Sequence, residues 1–142
     1  MPIEIYWVLG ILLTALLAAF FGSLIPRKLK EREKFIEAAN DFRNAFRQEI
    51  SFLKYNTAIK GTQSTDCSVS QFLKTGGVHR HTESLVSFKK HLTPFQGRSI
   101  DKAWQEYQKQ IDGYKSSPMS EKDKQEALQI IETFLNKHAK TS

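Results

Sequence analysis

The chain has 142 residues, a length that suits one globular domain. It contains 21 basic and 15 acidic residues; every basic residue follows Pro26 and only Glu4 among the acids precedes it, so residues 27–142 carry a net charge of +7. Its one cysteine, Cys67, excludes an internal disulfide framework.

The first predicted element is a transmembrane helix. Residues 5–25 form a run of 21 residues without a charge. At about 1.5 Å per residue this run spans roughly 31 Å, the thickness of the hydrocarbon core of a bilayer. Tyr6 and Trp7 lie where an interfacial aromatic belt is expected. We therefore predict a membrane anchor in residues 1–26 and a helical domain in residues 27–142.

A cleaved signal peptide is the rival interpretation of the same run. Signal peptides begin with a basic segment, whereas the only charged side chain before the apolar run is that of Glu4. The run is also longer than the apolar core of a typical signal peptide. Both features favour an anchor that is retained.

Basic residues follow the apolar run directly: Arg27, Lys28, Lys30 and Arg32. Because basic flanks stay on the cytoplasmic side, we predict an N-terminus outside and a cytoplasmic domain, with the anchor in the inner membrane if the source is bacterial. The same residues are candidates for contact with anionic lipid headgroups. The alternative is that they only fix the topology, and this is the interpretation that we prefer. Along the rest of the chain basic and acidic residues alternate, which argues against nucleic acid as a partner.

One face of the predicted anchor carries small residues at intervals of four: Gly10, Thr14, Ala18 and Gly22. Such a stripe lets a second helix approach closely. Leu12, Leu16, Phe20 and Leu24 form a bulky strip elsewhere on the helix. The pattern predicts self-association or packing on a partner membrane protein, with chance occurrence of small residues as the alternative.

The next elements are predicted to be helices. Apolar residues from Phe35 to Leu53 recur at intervals of three and four, which predicts one helix over 28–59. Residues 60–68 have loop composition. The next helical segment is predicted over 69–92, with an apolar stripe from Val78 to Leu92, and Gly76 and Gly77 in its middle should break or weaken the helix.

The C-terminal part repeats this alternation. Residues 93–99, with Pro94 and Gly97, are predicted to be a loop, and a stripe from Ile100 to Ile111 predicts a helix. Ser120 and Asp123 resemble a capping box at the start of a last helix. No segment alternates with a period of two. The fold class predicted is therefore all-α: an N-terminal transmembrane helix followed by a small antiparallel bundle.

Few residues of the predicted domain suggest chemistry. His79 and His81 would point about 200° apart on a helix, too far apart to share a metal ion, whereas an extended segment after the glycine pair would place both on one face. His81 lies on the apolar stripe, where we expect a buried histidine that is hydrogen-bonded to Tyr107, Trp104 or a backbone carbonyl. Trp104 and Tyr107 lie on one helix face, as a core pair or as the wall of a ligand pocket. No cofactor, metal ion or catalytic residue is predicted, and Cys67 has no base near it in sequence.

Three phrases give the domain a recognisable layout: F-x-x-A-x-x-x-F-R, H followed by F seven residues later, and A-W-x-x-Y. This layout resembles that of a widespread group of small bacterial proteins with a membrane helix and a helical domain. The resemblance implies a bacterial source, a helical fold and a continuous helix across Gly76 and Gly77, but it brings no catalytic residues. The matching residues are Phe35, Ala38, Phe42, Arg43, His81, Phe88, Trp104 and Tyr107.

Together these patterns predict a membrane-tethered helical interaction or scaffold module at the cytoplasmic face. The alternatives are a ligand- or lipid-sensing domain built around His81, Trp104 and Tyr107, and an enzyme of unrecognised type. A polar-lined pocket would favour the alternatives, and a fully packed core would favour the interaction module.

Overall fold

The structure, a computed structural model, describes residues 3–56 and 66–141. Within these ranges every regular element is a helix, as predicted: α1 (Ile3–Asn44), α2 (Arg47–Tyr55), α3 (Val69–Gly76), α4 (Val78–Lys89), α5 (Pro94–Asp112) and α6 (Glu121–His138). The chain divides into two compact units, Met1–Lys34 and Phe35–Ser142.

The N-terminal unit consists of the first part of α1. Among the described residues, one helix is long and apolar enough to cross a membrane, and it is this one, from Tyr6 onward. Its large apolar side chains are exposed, from Tyr6 and Trp7 near the start to Ile25 and Leu29. Pro26 lies inside α1, and the helix continues beyond it to Asn44.

The second unit contains a core of aromatic and aliphatic side chains. Phe42 is at its centre: its ring stacks on Phe88 of α4, with centroids 5.3 Å apart, and meets the edges of Phe46 and Phe134. Arg43 of α1 donates hydrogen bonds to the carbonyls of Leu135 and Ala139. Both carbonyls lie at the C-terminal end of α6, where that of Leu135 also accepts the Ala139 N–H, so Arg43 caps the end of this helix.

The first helix of this unit is shorter than predicted. The stripe that starts at Phe35 was expected to form one helix over 28–59, but α1 ends at Asn44 and α2 begins at Arg47. Helix α2 then ends at Tyr55, and Asn56 has a left-handed backbone conformation that asparagine adopts readily. Residues 57–65, which include most of the predicted loop, lie outside the described residues.

The prediction of a loop at residues 93–99 is wrong. Thr93 forms a capping box with Gln96, and α5 begins at Pro94. The N–H of the first helical residue has no partner within the helix, so proline, which lacks an N–H, is favourable at this position. Pro94 therefore begins α5 and does not prevent it from forming. The capping box of Ser120 and Asp123 at α6 is confirmed.

Candidate functional site

The candidate site forms where two helices are interrupted. The interruption between α1 and α2 leaves the carbonyl of Ala45 without a helical partner, and Arg80 of α4 donates its Nε–H to that oxygen at 2.9 Å. The same guanidinium contacts Gln48 and forms an ion pair with Glu49 of α2. Arg80 therefore donates both to the free carbonyl of Ala45 at the helix interruption and to one carboxylate oxygen of Glu49.

The second interruption is at Gly77, between α3 and α4. The glycine pair was predicted to break the helix, and α3 does end at Gly76. The continuous helix implied by the resemblance is therefore not present. A Cβ at Gly77 would lie 2.5 Å from His81 Cε1 and 2.7 Å from Glu49 Oε1, whereas one at Gly76 would meet nothing within 4 Å. Gly77 thus provides the space in which Glu49 and His81 meet.

Glu49 and His81 form a buried pair at this point. Their relative exposures are 1% and 2%, and His81 Nε2 lies 3.2 Å from Glu49 Oε2. Within the described part of the chain, neither atom has a well-formed hydrogen bond. The ring of Phe46 stacks on the imidazole at a centroid distance of 3.9 Å. A buried carboxylate of this kind is costly unless its charge is compensated, which is the role of Arg80 and His81.

The surroundings shift the pKa values of two groups here. Burial raises the pKa of Glu49, but the contact with His81 and the charges of His81 and Arg80 outweigh burial, so the pKa lies below its ordinary value of 4.5. Burial, with a smaller contribution from the negative charge of Glu49, raises the pKa of the Tyr107 hydroxyl. The negative charge of Glu49 therefore acts on Tyr107 of α5.

A cavity of about 200 Å³ lies beside the Glu49–His81 pair, between α3, α4 and α5. Its wall is mostly apolar and aromatic, and an ion pair between Lys74 and Asp112, 2.7 Å long, contributes to the lining. The lining residues are Leu73, Lys74, Val78, His81, Trp104, Tyr107, Gln108, Ile111 and Asp112.

The structure brings the three residues singled out from the domain sequence together. His81, Trp104 and Tyr107 are buried and line this one cavity. Trp104 and Tyr107 stack on each other with centroids 5.1 Å apart. The expected partner of His81 was wrong, because its Nε2 faces the carboxylate of Glu49 and not Tyr107, Trp104 or a carbonyl. Val78, which the stripe placed in the core, is partly exposed at the first turn of α4.

The residues singled out from the anchor lie in the other unit. Gly10, Thr14, Ala18 and Gly22 are exposed on α1, and a Cβ added at either glycine meets nothing within 4 Å. The basic residues that follow are also exposed: Arg27, Lys28, Lys30 and Arg32.

Glu49 is the residue that sequence reasoning missed. It lies three residues after Phe46 and seven after Phe42, which places it on the apolar stripe of the first helix. An acidic residue on the apolar stripe of a helix indicates a buried carboxylate that has a partner in the core, and this indication was present in the sequence. The position of Arg80 next to His81 gave no comparable indication.

The chemistry available to this site is limited by its composition. Among the described residues, no group of three or more His, Cys, Asp or Glu side chains could hold a metal ion. His79 is exposed and pairs with Glu83, away from the buried His81. Cys67 is half-buried, in the segment before α3. The site offers hydrogen bonding and aromatic contact beside one buried acid–imidazole pair.

In comparisons with known proteins, the chain matches no family model, no curated protein and no solved structure.

Proposed function

We propose that this chain is a single-pass membrane protein whose N-terminal helix holds a helical interaction module at the cytoplasmic face of a bacterial inner membrane. The domain is proposed to be an antiparallel bundle, and the short connections at residues 90–93, between α4 and α5, and 113–120, between α5 and α6, support this arrangement. The anchor is proposed to bind a second copy of itself or a partner membrane helix.

The exposed apolar surface of α1 carries this proposal. Large apolar side chains on all faces of the helix are exposed, and exposed apolar surface on this scale indicates a membrane or protein partner. These residues are Tyr6, Trp7, Val8, Leu9, Ile11, Leu12, Leu13, Leu16, Leu17, Phe20, Phe21, Ile25 and Leu29. A bilayer covers all faces of a helix at once, which one protein partner does not.

The continuity of α1 supports retention of the anchor over cleavage. The helix runs from Ile3 to Asn44 without interruption, and its last turns supply Ala39 and Phe42 to the core of the second unit. Cleavage after the apolar run would cut within this helix. The four basic residues that follow the apolar run are exposed and take part in none of the ion pairs among the described residues, which suits either topology control or contact with anionic headgroups. They are Arg27, Lys28, Lys30 and Arg32.

Retention and orientation can be measured with the full chain. We expect the protein to remain in the membrane fraction after an alkaline wash, with the length of the uncleaved chain. A fluorescent protein fused to the C-terminus should fluoresce, and alkaline phosphatase fused there should be inactive. Release by the alkaline wash, a shortened chain or an active phosphatase would contradict the proposal.

The small-residue face of the anchor supports association with another helix. The Thr14 hydroxyl donates to the carbonyls of Gly10 and Ile11, so no polar atom of this face requires a partner outside the helix. A shallow groove of about 410 Å³ is lined by Gly10 and Thr14 together with Tyr6, Trp7 and Ile11. Small residues at such a groove allow two helix backbones to approach closely.

Association is tested by changing the two faces separately. Gly10→Leu with Gly22→Leu fills the small-residue face, and Leu12→Ala with Leu16→Ala changes the bulky strip as a matched control. Cross-linking or a two-hybrid assay in membranes should show reduced association for the first pair and unchanged association for the second. Equal association of both variants would exclude this face as the interface.

A further inference from the structure

We propose that the cavity between α3, α4 and α5 is a binding site for a small, uncharged, planar molecule that carries one hydrogen-bonding group. This site is in the helical domain and is independent of the membrane association proposed above. A concave, mostly apolar pocket with a few convergent polar groups and a perturbed titratable residue is the usual form of a ligand site.

The size of the cavity limits the ligand. Its volume is about 200 Å³. A cavity of about 150 Å³ lined by apolar side chains accommodates benzene. The cavity therefore fits a molecule of one ring with a substituent, and its volume is too small for a lipid acyl chain.

The wall of the cavity favours a planar molecule. Trp104 and Tyr107 contribute two aromatic side chains, and both are held in place by packing: they stack on each other, and Tyr107 also stacks on Phe134 at 5.3 Å. Aromatic side chains fixed in this way provide contact area for a second ring without loss of side-chain entropy on binding.

The charges around the cavity favour a neutral molecule. Lys74 is paired with Asp112, and Glu49 is paired with Arg80 and lies against His81. No charged side chain in the lining lacks an opposite charge, so a charged ligand would have to break an existing pair. Among the lining residues, His81 is the one that contacts the buried carboxylate, and we assign it as the partner for the single polar group of the ligand.

Stability alone does not explain the buried pair of Glu49 and His81. Apolar residues of similar volume would fill the space of Glu49 and His81 without the cost of desolvating a carboxylate. Gly77, Arg80 and Phe46 are all arranged around this pair. His81 of this pair lines the cavity, and one polar side chain in a mostly apolar wall is what a ligand site with one hydrogen-bonding position requires.

Binding is tested with the full chain in detergent micelles and with 4-fluorophenol as the probe, followed by ¹⁹F NMR. The matched variants are Val78→Trp, which fills the cavity, and Val86→Trp, which changes another exposed valine of α4 outside it; the two valines are 37% and 56% exposed. We expect wild type and Val86→Trp to bind above the level of empty micelles. Val78→Trp should bind about tenfold more weakly or worse, a loss of about 1.4 kcal/mol.

Further probes and one further variant distinguish the outcomes. Fluorobenzene lacks the hydrogen-bonding group and 4-fluorobenzoate carries a charge, so both should bind more weakly than 4-fluorophenol. Gln108→Trp fills the cavity from α5 and should weaken binding to the same extent as Val78→Trp. It replaces Val78→Trp as the test if Val78→Trp does not fold. Equal binding by wild type, the cavity-filled variants and empty micelles would overturn the site, and stronger binding of 4-fluorobenzoate would overturn the uncharged class.

Discussion

The two parts of helix α1 differ in a way that hydrophobicity alone does not explain. Phe20, in the apolar run, is 61% exposed, whereas Phe42, in a segment with many charged residues, is completely buried. The first part has apolar side chains on all faces and no protein neighbour among the described residues of its unit. The second part has one apolar stripe, and other helices cover it. Burial therefore depends on what faces a side chain, and the uncovered part is the one for which we propose a bilayer.

The largest effect should come from matched truncations in the two parts of α1. Phe42→Ala removes a ring that contacts three others in the core, and we expect a loss of about 3–5 kcal/mol in the free energy of unfolding of the domain. Phe20→Ala should leave that free energy unchanged. Urea unfolding in detergent, followed by near-UV circular dichroism, measures both. Equal effects would contradict the difference between the two parts.

A charge in the apolar run should reduce membrane insertion and leave the stability of the domain unchanged. Leu13→Arg places a charge near the middle of the proposed span, at a cost of about 2.5–3.5 kcal/mol for insertion. We expect less protein in the washed membrane fraction and unchanged unfolding of the domain. Val86→Arg, at an exposed position of α4, is the control and should remain in the membrane fraction. Full membrane retention of Leu13→Arg would count against the proposed span.

The neighbouring glycines Gly76 and Gly77 test the packing of the candidate site. Gly77→Ala places a methyl group against His81 and Glu49, and we expect a loss of about 1–3 kcal/mol in the free energy of unfolding. Gly76→Ala meets open space in a helix and should stabilise the domain by about 0.5–1 kcal/mol. Thermal unfolding of the two variants under the same conditions gives the comparison. Two variants of equal stability would show that Gly77 is not the point of close contact.

The smallest effect is the pH dependence due to Glu49. The pKa of Glu49 in the folded protein lies below 4.5, so its contribution to stability is present above about pH 4.5 and is lost as the pH falls through the lowered value. Glu49→Gln should therefore be less stable than wild type at neutral pH, and the difference should shrink in acid. Glu132→Gln, which changes an exposed carboxylate, is the control. A difference that stays constant with pH would contradict the lowered pKa.

Much of the helical content could be predicted because periodicity reports which residues face a core. Leu85 and Phe88 of one predicted stripe and Ile100, Trp104 and Ile111 of the next are buried as expected. The boundaries were less predictable. The stripe from Phe35 to Leu53 gives no sign of the interruption at Ala45. The carbonyl that the interruption exposes accepts a hydrogen bond from Arg80, which is distant in sequence, so no local pattern could reveal that a break is tolerated there. Pro94 indicated a loop by composition but occupies the first position of a helix.

The candidate site was predictable only in part, for a similar reason. His81, Trp104 and Tyr107 could be singled out because aromatic and imidazole groups on apolar stripes are few. That they line one cavity follows from how α4 and α5 pack, which no local pattern specifies. Glu49 was visible as a charge on an apolar stripe, but its partners come from another helix.

Local composition was enough to predict an uncharged run long enough to cross a bilayer, the basic residues that follow it, and helices throughout the part of the chain that the structure describes. The packing of distant residues was needed to show which helix breaks are compensated, that Gly77 admits the contact of Glu49 with His81, and that a cavity lies beside that contact. The physical reason is range: hydropathy and helical period act between near neighbours, whereas the pairing of a buried charge depends on residues that folding brings together.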